Sequence, residues 1–171
     1  MSFGVGVRVT GGEGVVSLLN AINLQGAARR GLFEELGNTL IAQTQLRFVD
    51  EVGPDGIKWP QSIRARLEGG RTLSDTGALR QSITAQVLQD GVEVGTNLDY
   101  ALPNQFGATA TAKGKALTFK LGGKQIFVKS ITIPARPFIG VNDENQQELE
   151  ETVGDYVFAL AQRAGGGFSR A

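Results

Sequence analysis

The 171-residue sequence contains no cysteine and no histidine. Their absence removes disulfides, thiol nucleophiles, Cys/His zinc sites, haem-type ligation and every histidine-based triad at once. Conventional hydrolase chemistry loses its usual general base, and neither cofactor nor metal is expected. Long apolar runs are missing too. None approaches the roughly 20 residues of a bilayer-spanning helix, and no basic segment followed by an apolar core stands near the start. These absences predict a soluble protein made in the cytoplasm, without membrane contact. Net charge is the last deficit: 17 Lys+Arg balance 17 Asp+Glu, which leaves no cationic excess for coating nucleic acid or anionic lipid. A chain of this length matches one ordinary domain that buries roughly 70% of its unfolded surface.

What is present reads as strand, helices, hairpins and helix. Phe3 to Val9 alternates apolar with small or polar residues, the pattern of a half-buried strand, which places an N-terminal strand region within 1–14. Val15 to Leu24 has a short helical spacing. From about Ala27 to Phe48, the residues Phe33, Leu36, Leu40, Thr44 and Phe48 recur at i+3/i+4 steps, the apolar stripe of a long helix. Gly53-Pro54-Asp55-Gly56 ends it in a turn, and Trp59-Pro60 reads as an anchored loop. Asp75 or Thr76 is placed to cap a short helix over Ala78 to Ser82.

Two hairpins follow. The first turns at Asp90-Gly91 and pairs Gln89 with Val92 and Val87 with Val94; the second turns at Gly122-Gly123 and pairs Phe119 with Ile126 and Leu117 with Val128. Between them, residues 107–114 consist only of Gly, Ala, Thr and Lys. They have almost nothing to bury, which predicts a mobile loop over 107–115. Ile131 to Ile133 is a strand stopped by Pro134 and Pro137. Asn142 or Asp143 caps a last helix with Leu149, Val153, Tyr156, Val157, Leu160 and Ala164 on its apolar face, and 165–171 is expected to fray. The order predicts an α+β fold in a single domain over 1–171: an antiparallel sheet of hairpins packed against a long N-terminal helix and a C-terminal helix.

Motif candidates for chemistry fail on context. Gly4-x-Gly6 has no room for the strand that precedes a dinucleotide fingerprint. Gly107 to Ala116 looks like a phosphate loop, yet six residues separate its glycines and Ala116 replaces the metal-binding hydroxyl. Trp59 and the Tyr100 to Phe106 run can stack bases only on a basic sheet. The shortage of interleaved Arg and Lys there favours aromatics that pin loops to the core. Trp59, Asp75, Tyr100, Gln105 and Phe106 therefore read as structural anchors.

Charge layout is more informative. Residues 108–140 hold Lys113, Lys115, Lys120, Lys124, Lys129 and Arg136 and no acid; residues 143–155 hold Asp143, Glu144, Glu148, Glu150, Glu151 and Asp155 and no base. A neutral chain with two opposed blocks can bind copies of itself head to tail, and such heterologous contacts close into rings. The same blocks, adjacent in sequence, can also pair within one chain.

Several ordered strings carry a resemblance. Arg47-Phe48 is followed by Pro54-Asp55-Gly56, Trp59 and Leu73 to Ser82; then come Val94 to Asn97, Tyr100-Ala101, Gln105-Phe106-Gly107 and Ile133 to Gly140. Together they resemble the phage virion morphogenesis (tail completion) family of Mu-like and P2-like contractile-tailed phages, over roughly residues 27 to 160. Asn104 departs from the pattern, since relatives often carry His there. The resemblance implies a non-catalytic virion component of the tail or neck, present in the host cytoplasm during assembly. It would act in tail completion and head–tail joining as a homo-oligomeric ring, commonly six-fold, beside tail, tail-terminator or head-connector proteins.

In such a ring the candidate subunit contacts are Arg136, Pro137 and Phe138 with Lys120, Lys124, Lys129, Asp143, Glu144, Glu148 and Glu151. Arg136-Pro137-Phe138 suits core anchoring of a strand end equally well. Lys113, Gly114 and Lys115 are the candidates for facing the lumen or an adjoining ring, touching DNA phosphates without reading sequence. Two rivals stay open: a nucleic-acid-binding module using residues 108–140, and a small phage-borne hydrolase working through carboxylates.

Overall fold

The computed structural model describes residues 5–9 and 24–163. In chain order they form β1 (Val5–Val9), α1 (Gly26–Asp50), α2 (Ile63–Glu68), α3 (Ala78–Gln81), β2 (Thr84–Val87), β3 (Val92–Thr96) and α4 (Ala101–Phe106), then β4 (Ala108–Thr111), β5 (Leu117–Leu121), β6 (Lys124–Val128), β7 (Ser130–Ile133) and α5 (Asp143–Arg163). The flanks of the expected N-terminal strand, nearly all of the helix read over Val15 to Leu24, Ala164 and the tail 165–171 lie outside the described residues. The architecture is α+β. Its strands are divided among three sheets: a three-stranded one in the order β1-β3-β2 and two antiparallel ribbons, β4-β7 and β5-β6. The described residues group into two compact units, the first of residues 5–6, 44–83 and 95–140, the second of residues 7–9, 24–43, 84–94 and 141–163.

The stripe read along α1 is what the fold buries: Phe33, Leu36, Leu40, Thr44 and Phe48 are each at most 5% exposed, while Glu34, Glu35 and Asn38 face outward. In the second unit the helix meets a hairpin and another helix. A Cβ on Gly37 would fall 2.8 Å from the Ala85 Cβ, so the bare backbone there lets the β2-β3 hairpin approach closely. Against α5, Thr39 Oγ1 lies 3.2 Å from Thr152 Oγ1 and Gln43 Nε2 donates to Glu148 Oε2 at 2.6 Å. Asn142 starts α5 by accepting the Asn145 amide on Oδ1 at 2.8 Å, and Asn145 Oδ1 answers the Asn142 amide at 3.4 Å. This reciprocal pair satisfies two amides the first helical turn cannot use.

One sequence reading needs correction at a turn. The hydrogen bond closing the first hairpin runs from Leu88 N to Gly91 O at 2.8 Å, so Gln89 and Asp90 form its tip, one residue earlier than Asp90-Gly91. Gly91 is buried and does not take the positive φ that an Asp-Gly turn of the mirror-image type demands. At α3 the N-cap position is Gly77, and the expected side-chain oxygen comes from the residue before it: Thr76 Oγ1 accepts from Ala78 N at 3.3 Å.

The first unit takes in the last turns of α1. Val52 N bonds Arg47 O at 3.3 Å and Glu51 takes a left-handed φ of 57°, a Schellman closure that carries the helix two residues beyond Phe48. Gly56 N then closes on Gly53 O at 3.0 Å, the expected turn. It returns Trp59 to the helix, where Phe48 sits edge-on to Trp59 (centroids 5.5 Å) and tilted on Phe138 (5.4 Å).

Phe138 belongs to a segment, 134–142, with neither helix nor strand, because Pro134 and Pro137 lack ladder donors. It is nevertheless core: Phe138 is 0% and Ile139 4% exposed. Buried irregular backbone must find its hydrogen-bond partners among side chains, and three supply them. Trp59 Nε1 donates to Pro137 O at 2.8 Å. Arg47 Nη1 donates to Phe138 O at 3.1 Å and to Gly140 O at 2.8 Å. Gln105 Oε1 accepts from Phe138 N and Ile139 N at 2.9 and 3.1 Å, while its Nε2 donates to Ile139 O at 2.8 Å. One primary amide thus satisfies three backbone groups.

The ribbons complete this unit. Gly122 and Gly123 turn β5 into β6 with φ of 56° and 73°, and the register pairs Leu117 with Val128 and Phe119 with Ile126, as read from the sequence. The mobile-loop reading of 107–115 is corrected for residues 108–111. These form β4, with Ala108 opposite Ile133 and Thr111 opposite Ser130. Their ladder rests on backbone hydrogen bonds and β-branched threonines and buries little, so a reading based on burial misses it.

Arg47, Trp59 and Gln105 thus form a latch on the buried 137–140 backbone, and its parts predict a mutational pattern. Gln105→Leu leaves three buried backbone groups unpaired, each costing about 1–3 kcal/mol; a urea midpoint corresponding to a loss of about 3 kcal/mol or more is expected. Trp59→Phe strands only Pro137 O and is expected to cost about 1–2 kcal/mol. Asn142→Ala is expected to lose about 1 kcal/mol in the same assay, and Asn142→Asp much less.

Candidate functional site

α4 sorts the expected anchors into two groups. Ala101 and Gln105, four apart on one helix face, point inward and are 0% and 7% exposed. Their neighbours therefore point out: Tyr100 and Leu102 are 47% exposed and Phe106 69%. Trp59 and Gln105 are anchors, whereas Tyr100 and Phe106 pin nothing to the core; their place one step before Ala101 and after Gln105 turns them to the surface. Asn104 contributes its backbone carbonyl to Arg136 N at 2.7 Å and its side-chain amide to Tyr100 O at 2.7 Å. Asp75 is an exposed partner of Arg64, 3.6 Å away.

Arg136 and Phe138, read as subunit contacts or core anchors, are 5% and 0% exposed, and Pro137 is half-buried. In the chain by itself Phe138 is core, and Arg136 is reached only where it lines a recess of the surface. The lysines behave differently. Lys113, Lys115, Lys120, Lys124 and Lys129 are all exposed, and among the described residues none makes an ion pair. In the β5-β6 register Lys120 pairs with Gln125 and Thr118 with Phe127, so Lys120 and Phe127 share the outward face. Phe127 is 64% exposed there. The opposite face, Leu117, Phe119, Ile126 and Val128, is only half-buried.

Beside this ribbon lies a groove of about 470 Å³ that no spacing in the sequence foretells. Ile63 on α2, Phe119 on β5 and Ile131 and Ile133 on β7 supply apolar walls, and Arg64, Arg66, Lys120 and Arg136 outnumber Glu68 and Asp75. A second recess of about 330 Å³, lined by Ser62, Asp75, Tyr100 and Asn104 among others, shares Arg64 and Arg136 with it. The hairpin register separates Phe119 from Lys120, but the approach of α2 depends on tertiary packing: Glu68 Oε1 accepts from Gly122 N at 2.6 Å.

The two buried arginines of this unit differ. Burial lowers the pKa of both guanidiniums from the ordinary arginine value, a sign of desolvation only partly repaid. Arg47 spends its head on Phe138 O and Gly140 O. Arg136 uses Nε alone, donating to Pro60 O at 2.6 Å.

In the second unit, Asp143, Glu144, Glu148, Glu151 and Asp155 are exposed on α5, and Glu150 is half-buried. Glu144, Glu148, Glu151 and Asp155 follow the i, i+4, i+7, i+11 spacing, one acidic stripe. Among the described residues no group of three or more metal-ligating side chains converges, and no helix is long and apolar enough to cross a membrane. Charge and apolar surface are what the described residues leave exposed.

Comparison with known proteins agrees with the ordered strings. The chain is 26% identical over 150 residues to the Mu-like prophage FluMu G protein 2 of Haemophilus influenzae, covering 88% of this chain and 94% of that protein. No solved structure matches it. The profile of the phage virion morphogenesis family matches residues 12–158, and with the latch residues Arg47, Trp59, Gln105 and Phe138 all inside that span, the chain belongs to the phage virion morphogenesis family.

Proposed function

We propose that the protein is a non-catalytic structural component of the phage particle that acts in tail completion and head–tail joining, at the tail end or neck. It works by adhering to other polypeptides: copies of itself in a head-to-tail ring, and the tail, tail-terminator or head-connector proteins beside it. The observation that carries this reading is the separation of charge. Five exposed lysines without ion-pair partners lie in the first unit, and an exposed acidic stripe runs along α5 in the second. Complementary patches at two places on one neutral chain favour a heterologous contact, which repeats until it closes. Membership of the virion morphogenesis family and the likeness to a Mu-like prophage protein support a role in particle assembly.

The bend of Lys113, Gly114 and Lys115 follows β4 and is fully exposed. It is the part proposed to face the lumen or an adjoining ring, where two lysines meet phosphate without sequence preference. Since β4 is the partner of β7, deleting it would damage the ribbon, and point changes are the cleaner probe.

Native mass measurement at about 50 mM and about 500 mM salt tests the adhesive contact, because exposed charges are screened beyond a few ångströms at the higher strength. Oligomers at low salt that fall to monomers at high salt are expected; a monomer under both conditions contradicts the reading. Lys113→Ser with Lys115→Ser is expected to leave the thermal midpoint unchanged while reducing the yield of joined heads and tails. An unchanged yield of infectious particles would remove this bend from the function.

A further inference from the structure

Arg136 carries an unused recognition group. Among the described residues its one side-chain hydrogen bond is Nε to Pro60 O, which leaves Nη1 and Nη2 with four N–H donors and no protein acceptor. The side chain is 95% buried by its 5% exposure, yet these nitrogens are not sealed. The only sealed, unpartnered side-chain atom among the described residues is Gln43 Oε1. Arg136 instead lines both the α2–ribbon groove and the smaller recess beside it, so its planar fork meets solvent at their floor. The carboxylates nearest in these walls are occupied or peripheral: Asp75 is 71% exposed and pairs with Arg64, and Glu68 holds Gly122 N. A guanidinium buried without a counter-ion is costly, and a bidentate carboxylate is the acceptor its geometry fits best.

We propose that Arg136 is a socket for a carboxylate from the acidic stripe of α5 on a second copy of this chain, entering through the groove between α2 and the ribbons. The inference rests on the self-association reading above and names its central contact. Charge complementarity selects the occupant. Arg64, Arg66 and Lys120 rim the groove with an excess of positive charge, and the Glu144–Glu151 face of α5 is the densest exposed acidic surface among the described residues. Ile63, Phe119 and Ile133 give the groove apolar walls that exclude water around the pair, where charge-assisted hydrogen bonds are strongest. Socket and stripe lie on the same chain, so each copy offers one of each and the contact is heterologous.

Three variants and one mixing experiment test it, read by native mass measurement at low salt with thermal midpoints recorded in parallel. Arg136→Lys keeps the charge and removes the fork. Glu144→Lys with Glu151→Lys reverses the stripe at exposed positions, and Arg66→Glu with Lys120→Glu reverses the rim, also at exposed positions. Each is expected to weaken self-association at least tenfold. Mixing the stripe variant with Arg136→Lys brings one intact socket and one intact stripe together, so a heterodimer and no longer oligomer is expected; mixing it with the rim variant also sets reversed lysines against reversed glutamates and is expected to form at least the heterodimer, and no heterodimer in either mixture would overturn the socket. If Arg136→Lys lowers the midpoint strongly, the stripe and rim variants decide the matter without it. Wild type that associates while all three variants associate equally well overturns the socket and leaves the self-association reading standing. A wild type that is monomeric at low salt overturns both.

Discussion

A buried stretch of chain that is neither helix nor strand must have its amides and carbonyls satisfied by side chains, and residues 136–140 are such a stretch. Arg47 from α1, Trp59 from the loop after it and Gln105 from α4 converge on this one backbone. Each arrives by a local device. The Schellman closure at Glu51 ends α1 just beyond Arg47, the Gly53–Gly56 turn brings Trp59 back, and the four-residue repeat of α4 sets Gln105 beneath its exposed neighbours. Gly107 ends α4 at a φ of 75°, where a Cβ would lie 3.0 Å from Ala135 N. Glycine alone lets the helix pass this close to the latched segment.

With its interior fixed in this way, the first unit holds two ribbons that are themselves thinly buried. No residue of β5 or β6 is fully buried, and two-stranded ribbons are marginal without something to pack on. The groove against α2, the outward Phe127 and the unpaired lysines are consistent in kind: each gains from a protein surface carrying acid and apolar area. α5 offers the acid.

Much of this was legible in the sequence because it follows from periodicity. The α1 stripe, the Gly122-Gly123 register and the Asn142 cap are local patterns, and each appears in the structure where the pattern puts it. The misses have physical causes. Gly91 has the right neighbour for a mirror-image turn but is buried instead. β4 is held by hydrogen bonds that leave no hydrophobic signature, and Tyr100 and Phe106 look like anchors until α4 shows that its inward positions are Ala101 and Gln105. The role of Arg47 and the groove floor at Arg136 depend on segments distant in sequence, so no spacing rule announces them. The ordered strings, by contrast, trace the latch: Arg47, Trp59, Gln105 and Phe138 each fall in one of them.

The central claim is that opposite charges on one chain join different copies. Carbodiimide cross-linking, which joins a lysine amine to a carboxylate only on direct approach, tests it on an equal mixture of isotope-labelled and unlabelled protein. The account predicts mixed-label peptides connecting residues 117–129 of one copy to residues 143–155 of another. Cross-links between those segments found only within single-label chains, with none of mixed label, would contradict it.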